Sequence, residues 1–129
     1  MAANNPPSRT VRWLSYVLSA LPSLALLFSA TAKLIKPAGI EQSLEPIGWK
    51  VGQLTGLGIL EAAVVIVYLI PRTSVLGAIL ITGYLGGAIA THVRVGDHMI
   101  IPHIVLGVMV WLGLWLREPR LKSVLPLRS

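Results

Sequence analysis

The sequence predicts an all-α integral membrane protein, a four-helix bundle with a short interfacial helix between spans 1 and 2. The first observation is composition. The chain of 129 residues is 54% hydrophobic and 12% charged, whereas soluble domains are about a quarter charged. Its mean hydropathy is +0.74. The second observation is that four apolar runs are each long enough to cross a bilayer. The length fits a single domain.

The four apolar runs are the candidate spans. Each holds 18 to 20 residues with at most one formal charge, and a helix of that length covers roughly 27–30 Å, the thickness of the hydrocarbon core. A soluble bundle would need a polar stripe on each helix, which these runs lack. With their polar ends the spans cover about residues 13–35, 51–70, 73–95 and 99–116, and residues 1–8 and 119–129 are predicted to be flexible tails.

The first span also has features of a secretory signal peptide. Arg9 and Arg12 precede an apolar stretch that ends at the small residues 30–32. The apolar stretch runs from Trp13 to Phe28 and contains Pro22, so it exceeds the usual length of about 7–15 residues. We therefore expect this span to remain uncleaved.

The link between the first two spans, residues 37–50, has an amphipathic pattern. Ile40, Leu44 and Ile47 recur at helical spacing, and Trp49 follows them. This pattern is typical of a short helix that lies in the membrane interface, and a solvated loop is the alternative.

The basic residues are distributed unequally between the two sides of the predicted bundle. Four spans place both termini on one side together with the short 71–74 turn, and seven of the 11 Lys and Arg residues lie there. The positive-inside rule then favours cytoplasmic termini. These residues sit at the ends of apolar runs and form no stripe with interleaved aromatics, so no nucleic-acid partner is expected.

Small residues recur at helix-packing intervals in two spans. Helices in lipid associate through close packing, which requires small side chains at the contact. We expect internal packing seams there, and a homodimer seam is the alternative. The glycines concerned are Gly52, Gly56, Gly83, Gly86 and Gly87.

Glu61 stands ten residues after Val51, near the middle of the second span. An ionised carboxylate there is expensive, so it should face the bundle interior and be paired or neutral. We expect it to form the floor of a polar vestibule with Lys33, His92, Arg94 and His103, which fall near span ends on one side. The alternatives are an interhelical hydrogen bond for Glu61 and snorkelling for the cations.

The sequence gives no support for a catalytic or metal site. There is no cysteine, so thiol chemistry and cysteine-ligated clusters are excluded. We find no nucleophile–base dyad and no phosphate-binding glycine loop. Haem ligation by His92 and His103 is disfavoured, since histidines at helix ends more often form interfacial hydrogen bonds.

Several motifs resemble the DoxX-like family of small bacterial four-span membrane proteins. They are FSATAKLIKP at 28–37, LGILEAAVVIVYLIP at 57–71, GAILITGYLGGAIATHVRVGD at 77–97, Pro102 and the ending at 111–128. Lys33, Glu61 and His92 match polar positions of that family. Ala30 and Ala32 stand where members often have glycine.

The resemblance implies a multi-pass protein of the bacterial cytoplasmic (inner) membrane. The family takes its name from a small subunit of a quinone-linked oxidoreductase, which implies an accessory, redox-associated role without catalysis of its own. Quinone is then the candidate cofactor, and a membrane redox complex or a homo-oligomer is the candidate partner besides the lipid bilayer. The alternatives are a small-solute carrier that uses the Lys/Glu/His vestibule and a haem- or quinone-binding oxidoreductase subunit.

Overall fold

The computed structural model describes residues 8–96 and 100–126, and the regular elements in those ranges are helices. Short 3₁₀ turns occupy Glu45–Ile47, Val51–Gln53 and Pro71–Thr73. The α-helices are α1 (Arg9–Ile35), α2 (Ile40–Leu44), α3 (Leu54–Leu69), α4 (Ser74–Arg94), α5 (Ile100–Arg117) and α6 (Pro119–Lys122).

Four helical segments are long and apolar enough to span a membrane, which confirms the predicted fold class. They are Arg9–Ile35, Val51–Leu69, Pro71–Arg94 and Ile100–Arg117. Large apolar side chains cover their outer faces, and Phe28, for example, is 79% exposed. Such faces are stable against acyl chains and would be unfavourable in water.

The four spanning helices form a closed ring. Helix α1 packs against α3 and α5, and α4 packs against the same two helices from the opposite side. The order around the ring is therefore α1, α3, α4, α5. Because the 3₁₀ turn Pro71–Thr73 joins α3 directly to α4, these two helices are antiparallel neighbours.

Helix α1 is bounded by local signals and contains an internal proline. Its first turn is capped by Ser8, whose hydroxyl accepts a hydrogen bond from the Val11 amide at 3.2 Å. It ends at Lys36, which adopts a left-handed conformation, φ +56°. Pro22 cannot donate to the backbone, and the neighbouring Ser23 hydroxyl donates to the Ser19 carbonyl at 2.8 Å.

The end of the bundle that carries both termini is filled by side chains, and we call it the packed half. Tyr68, Ile81 and Val110 are at most 1% exposed there. The Tyr68 hydroxyl donates to the Val110 carbonyl at 2.7 Å and shares a hydrogen bond with Ser19 Oγ at 2.7 Å. One polar group thus links α1, α3 and α5 inside the core.

Arg117 completes this polar chain at the end of α5. Its Nη1 donates to Ser19 Oγ at 2.6 Å and to the carbonyls of Gly113 and Ser15 at 3.2 and 3.3 Å. Its guanidinium also lies 5.5 Å from the centroid of the Tyr16 ring. Hydrogen bonds to uncharged oxygens and the nearby aromatic ring therefore stabilise the positive charge of Arg117 at the edge of the packed half.

Three glycines allow close approach between helices. A Cβ on Gly58 would lie 3.0 Å from Leu34 Cγ and 3.1 Å from the Ala30 carbonyl. One on Gly113 would lie 2.6 Å from Ser19 Oγ, and one on Gly77 would overlap the backbone of Tyr68. These glycines bring α1 against α3, α5 against α1, and α4 against α3.

The glycines predicted to form packing seams make no close contact with another helix in the described part of this chain. Among the described residues, a Cβ on any of the predicted glycines would meet nothing within 4 Å. These glycines face open space inside or outside the ring, so they do not set a helix-to-helix distance within this chain. They are Gly52, Gly56, Gly83, Gly86 and Gly87.

The predicted short helix between spans 1 and 2 is present as α2, continued by the 3₁₀ turn Glu45–Ile47. This turn ends at Gly48 with φ +82°, and a Cβ there would lie 3.1 Å from Arg94 Nη2. Because glycine has no Cβ, it can adopt the left-handed backbone conformation and leave room for the nearby guanidinium. Leu44 is 7% exposed and anchors this connection to the bundle.

The chain after α5 departs from the predicted flexible tail. Residues Pro119–Lys122 form α6, and Leu121 is 6% exposed against the core. The Trp115 indole donates to the Leu125 carbonyl at 2.9 Å. Residues 1–7 and 127–129 lie outside the described residues.

Candidate functional site

The end of the bundle opposite the packed half contains a partly enclosed cavity of about 680 Å³. All four spanning helices line it, and Leu44 and Trp49 of the α1–α3 connection cover it. Its wall is mainly apolar, with a small group of polar side chains. Those polar residues are Ser29, Lys33, Glu61, Tyr84, Thr91, His92 and His103.

An ion pair across the α1–α3 interface lies in the cavity wall. Lys33 Nζ is 2.9 Å from Glu61 Oε1, and the side chains are 22% and 1% exposed. Lys33 Nζ also donates to Ser29 Oγ, one turn earlier on α1, at 2.6 Å. The predicted need for a partner to Glu61 is thus met by Lys33, and two of the three ammonium donors are used.

Tyr84 on α4 is the second partner of Glu61. Its hydroxyl lies beside the Glu61 carboxylate and is partly buried. Sequence reasoning missed this residue because a tyrosine between glycines and leucines has no pattern of its own. A signal did exist, since Tyr84 precedes His92 by eight residues and so lies on the same face of α4, two turns away.

The two histidines meet across the α4–α5 interface. The ring centroids of His92 and His103 are 5.1 Å apart, and the ring planes are inclined by 37°. Both side chains line the cavity. Their convergence follows from their matching depth at the end of α4 and the start of α5.

Arg94 was predicted in the same vestibule, and the structure places it elsewhere. It is not among the residues that line the cavity, and its Nη2 lies beside Gly48 of the α1–α3 connection. The structure therefore brings together Lys33, Glu61, His92 and His103, and assigns Arg94 to the turn above them.

The comparison with known protein families decides the identity of this bundle. A family model described as the DoxX-like family matches residues 17–116. The chain belongs to the DoxX-like family. The matched residues include the greater part of α1 and every lining residue of the cavity. No curated protein and no solved structure matches the chain.

In this DoxX-like protein, glycines make room for the cavity. Gly83 and Gly87 on α4 both line it, and a Cβ at either position would meet nothing within 4 Å. Larger side chains at these positions would project into the space beside Glu61. Two of the glycines predicted to pack helices together are therefore part of the cavity wall.

The residues that line the cavity can bind a small molecule and form hydrogen bonds with it. Among the described residues, no group of three or more His, Asp or Glu side chains could hold a metal ion. The polar groups gather around one ion pair, and the remaining wall is leucine, alanine and glycine with one tryptophan. This DoxX-like site suits an uncharged molecule with polar oxygens and an apolar body.

Proposed function

We propose that this DoxX-like protein is an accessory membrane subunit that binds a molecule of the quinone class in the cavity. The observation that carries this proposal is the buried Glu61 carboxylate, paired with the partly buried Lys33, in the wall of a mainly apolar space between membrane helices. In this role the chain binds and positions the quinone. A partner redox complex in the same membrane would carry out electron transfer.

The size and polarity of the cavity support this class of ligand. Pockets for small organic molecules enclose about 300–1,000 Å³ and combine apolar walls with a few placed polar groups. A cavity of about 680 Å³ lies within that range. An aromatic ring with carbonyl oxygens needs apolar contacts on its faces and hydrogen-bond donors at its edges, and the cavity offers both.

The hydrogen-bond donor for a quinone carbonyl belongs to a side chain that other contacts already hold in position. Lys33 retains one ammonium proton after bonding to Ser29 and Glu61. The imidazole rings of His92 and His103 line the same cavity. A quinone carbonyl could accept from the Lys33 ammonium, and Tyr84 lies beside the Glu61 carboxylate.

The proposed location is the bacterial inner membrane, with both termini in the cytoplasm. Seven basic residues on the termini side against four on the other side support this orientation. The cavity then lies in the outer half of the membrane. A quinone dissolved in the bilayer has direct access to that depth.

Quinone binding can be tested with two adjacent glycines. In Gly87→Leu the new side chain enters the cavity, whereas in Gly86→Leu it enters an outward-facing groove. We expect Gly87→Leu to remove the Trp49 component of fluorescence quenching by a short-chain ubiquinone in nanodiscs and Gly86→Leu to leave that component intact. Trp49 is the expected reporter because it lines the cavity. Equal quenching in both variants would contradict binding in the cavity.

A carrier for a small solute is the second candidate, favoured by the burial of the Glu61 carboxylate. Ionisable groups inside a membrane often lie on transport paths. Proteoliposomes that take up a solute, and lose uptake in Glu61→Gln, would support this candidate. The filled packed half favours binding over transport, because Tyr68, Ile81 and Val110 occupy the path beyond the cavity.

A further inference from the structure

A second concavity lies on the outer, lipid-facing side of the α4–α5 interface. This groove encloses about 820 Å³ and is lined by both helices and by Leu125 and Pro126. It forms where α4 and α5 carry small residues, Gly86 and Gly107. A Cβ on Gly86 would meet nothing within 4 Å. The groove shares only its His103 and Leu85 ends with the cavity.

The interior of the groove offers almost no free polar group. Thr82 accepts from the Trp111 indole at 2.6 Å and donates to the Ala78 carbonyl at 2.8 Å. The Trp115 indole donates to the Leu125 carbonyl. With these groups paired, the lining is a set of apolar surfaces that suits a hydrocarbon chain.

The groove is long enough to hold an acyl chain from the leaflet on the termini side. Its lining runs along α5 from His103 to Trp115, twelve positions that span roughly 18 Å at 1.5 Å per residue. One leaflet of the hydrocarbon core is about 15 Å thick. An acyl chain lying in the groove would therefore reach the interface on the termini side.

A cation stands at that end of the groove. Lys122 Nζ lies 5.1 Å from the centroid of the Trp115 ring, and Trp115 lines the groove. Arg120 and Lys122 are exposed and make no ion pair with any described residue. Residues 117–122 contain three basic side chains and one acidic side chain.

We propose that this groove is a binding site for one anionic phospholipid. An acyl chain lies between Trp111 and Ile104 along the groove, and the phosphate sits against Lys122 at its end. Lys122 has no ion pair among the residues that the structure describes, and its charge is complementary to that of a phosphate. This favours a lipid over a second copy of the chain, whose corresponding surface would bring the same positive charge.

Lipid selectivity in the purified full-length protein tests the site. Native mass spectrometry would measure the bound fractions of phosphatidylglycerol and phosphatidylcholine with identical acyl chains. We expect the wild type to prefer phosphatidylglycerol and Lys122→Gln to lose about fivefold of that preference, the value for one cation near a membrane surface. We expect Gly86→Leu to reduce the binding of both lipids by filling the groove.

Two variants serve as matched controls. Arg72→Gln removes a positive charge from the α3–α4 turn on the same side of the membrane, and Gly87→Leu adds the same bulk to the cavity. Both should keep the wild-type preference. Equal loss in Arg72→Gln and Lys122→Gln, or no preference in the wild type, would overturn the proposal. A lipid-free dimer that Gly86→Leu dissociates would overturn it as well.

Discussion

Glu61 and Lys33 show how a membrane bundle accommodates charge at single residues. An ionised carboxylate at the centre of a span costs roughly 2.5–3.5 kcal/mol on insertion scales. Glu61 is 1% exposed and has Lys33 at 2.9 Å and the Tyr84 hydroxyl as partners. The ammonium and the hydroxyl together replace the water that the carboxylate loses.

Substitutions at Glu61 should separate loss of charge from reversal of charge. Glu61→Gln keeps a hydrogen-bonding oxygen, so we expect the fold to be largely retained. Glu61→Lys places two ammonium groups in contact, and we expect assembly to fail. Expression level and detergent-solubilised size-exclusion profiles measure both outcomes.

The charge-swapped variant Lys33→Glu with Glu61→Lys is the control for direct pairing. Recovery of a folded peak in the double variant, relative to Glu61→Lys alone, is expected because the opposite charges meet again. If Glu61→Lys alone behaves like the wild type, then Glu61 is not buried against Lys33.

For single residues, the sequence predicts the depth of a side chain in the membrane better than it predicts which residues that side chain contacts. The depth of Lys33, Glu61, His92 and His103 along their spans was enough to group them, because depth follows from counting residues. Tyr84 and Ser29 could not be singled out as site residues in the same way, because placing an uncharged tyrosine or serine in a membrane costs little free energy. Arg94 lies beside the turn at Gly48. The course of that turn cannot be predicted from a periodic sequence pattern, so the position of Arg94 could not be predicted either.

Glycines set the distances between helices, and their positions could not be predicted from spacing. Regular spacing shows only that small residues share one face of a helix. It does not show whether that face meets another helix, a cavity or lipid. The close contacts fall instead at Gly58, Gly77 and Gly113, and Gly113 stands outside any small-residue repeat at i+4.

A pair of alanine substitutions tests this assignment. In Gly113→Ala the new methyl lies against Ser19 Oγ and the Ser15 carbonyl, so we expect the free energy of unfolding to fall by about 1–3 kcal/mol. Gly87→Ala meets open space and should keep or raise stability through the better helix propensity of alanine. Thermal denaturation in one detergent compares them, and a more stable Gly113→Ala would refute the contact.

At the scale of the whole molecule, the bundle divides into a packed half and a hollow half. Four spans and the membrane setting followed from hydropathy and length, because those properties are summed along the chain, and the short helix α2 followed from the helical spacing of its apolar residues. The division into halves did not, because it depends on how Tyr68, Ser19 and Arg117 from three helices meet. Their polar chain closes one end of the ring.

The proposed orientation can be measured directly because the chain has no cysteine. Single cysteines at Thr10 and Gln42, both exposed, report the two sides of the membrane. We expect a membrane-impermeant maleimide to label Gln42→Cys in intact spheroplasts and Thr10→Cys only after permeabilisation. The opposite pattern would reverse the topology, and equal labelling of both would mean that Arg9–Ile35 does not cross the membrane.

An energised membrane exerts an electrical force on any charge inside it, worth about 2.3 kcal/mol per elementary charge for 100 mV across its full thickness. Because Lys33 Nζ and Glu61 Oε1 are only 2.9 Å apart, the field pulls the two groups in opposite directions and its net work on the pair nearly cancels. Occupancy of the adjacent cavity by a neutral molecule is therefore insensitive to membrane voltage. Neutralising Glu61 alone would leave one positive charge for the field to act on.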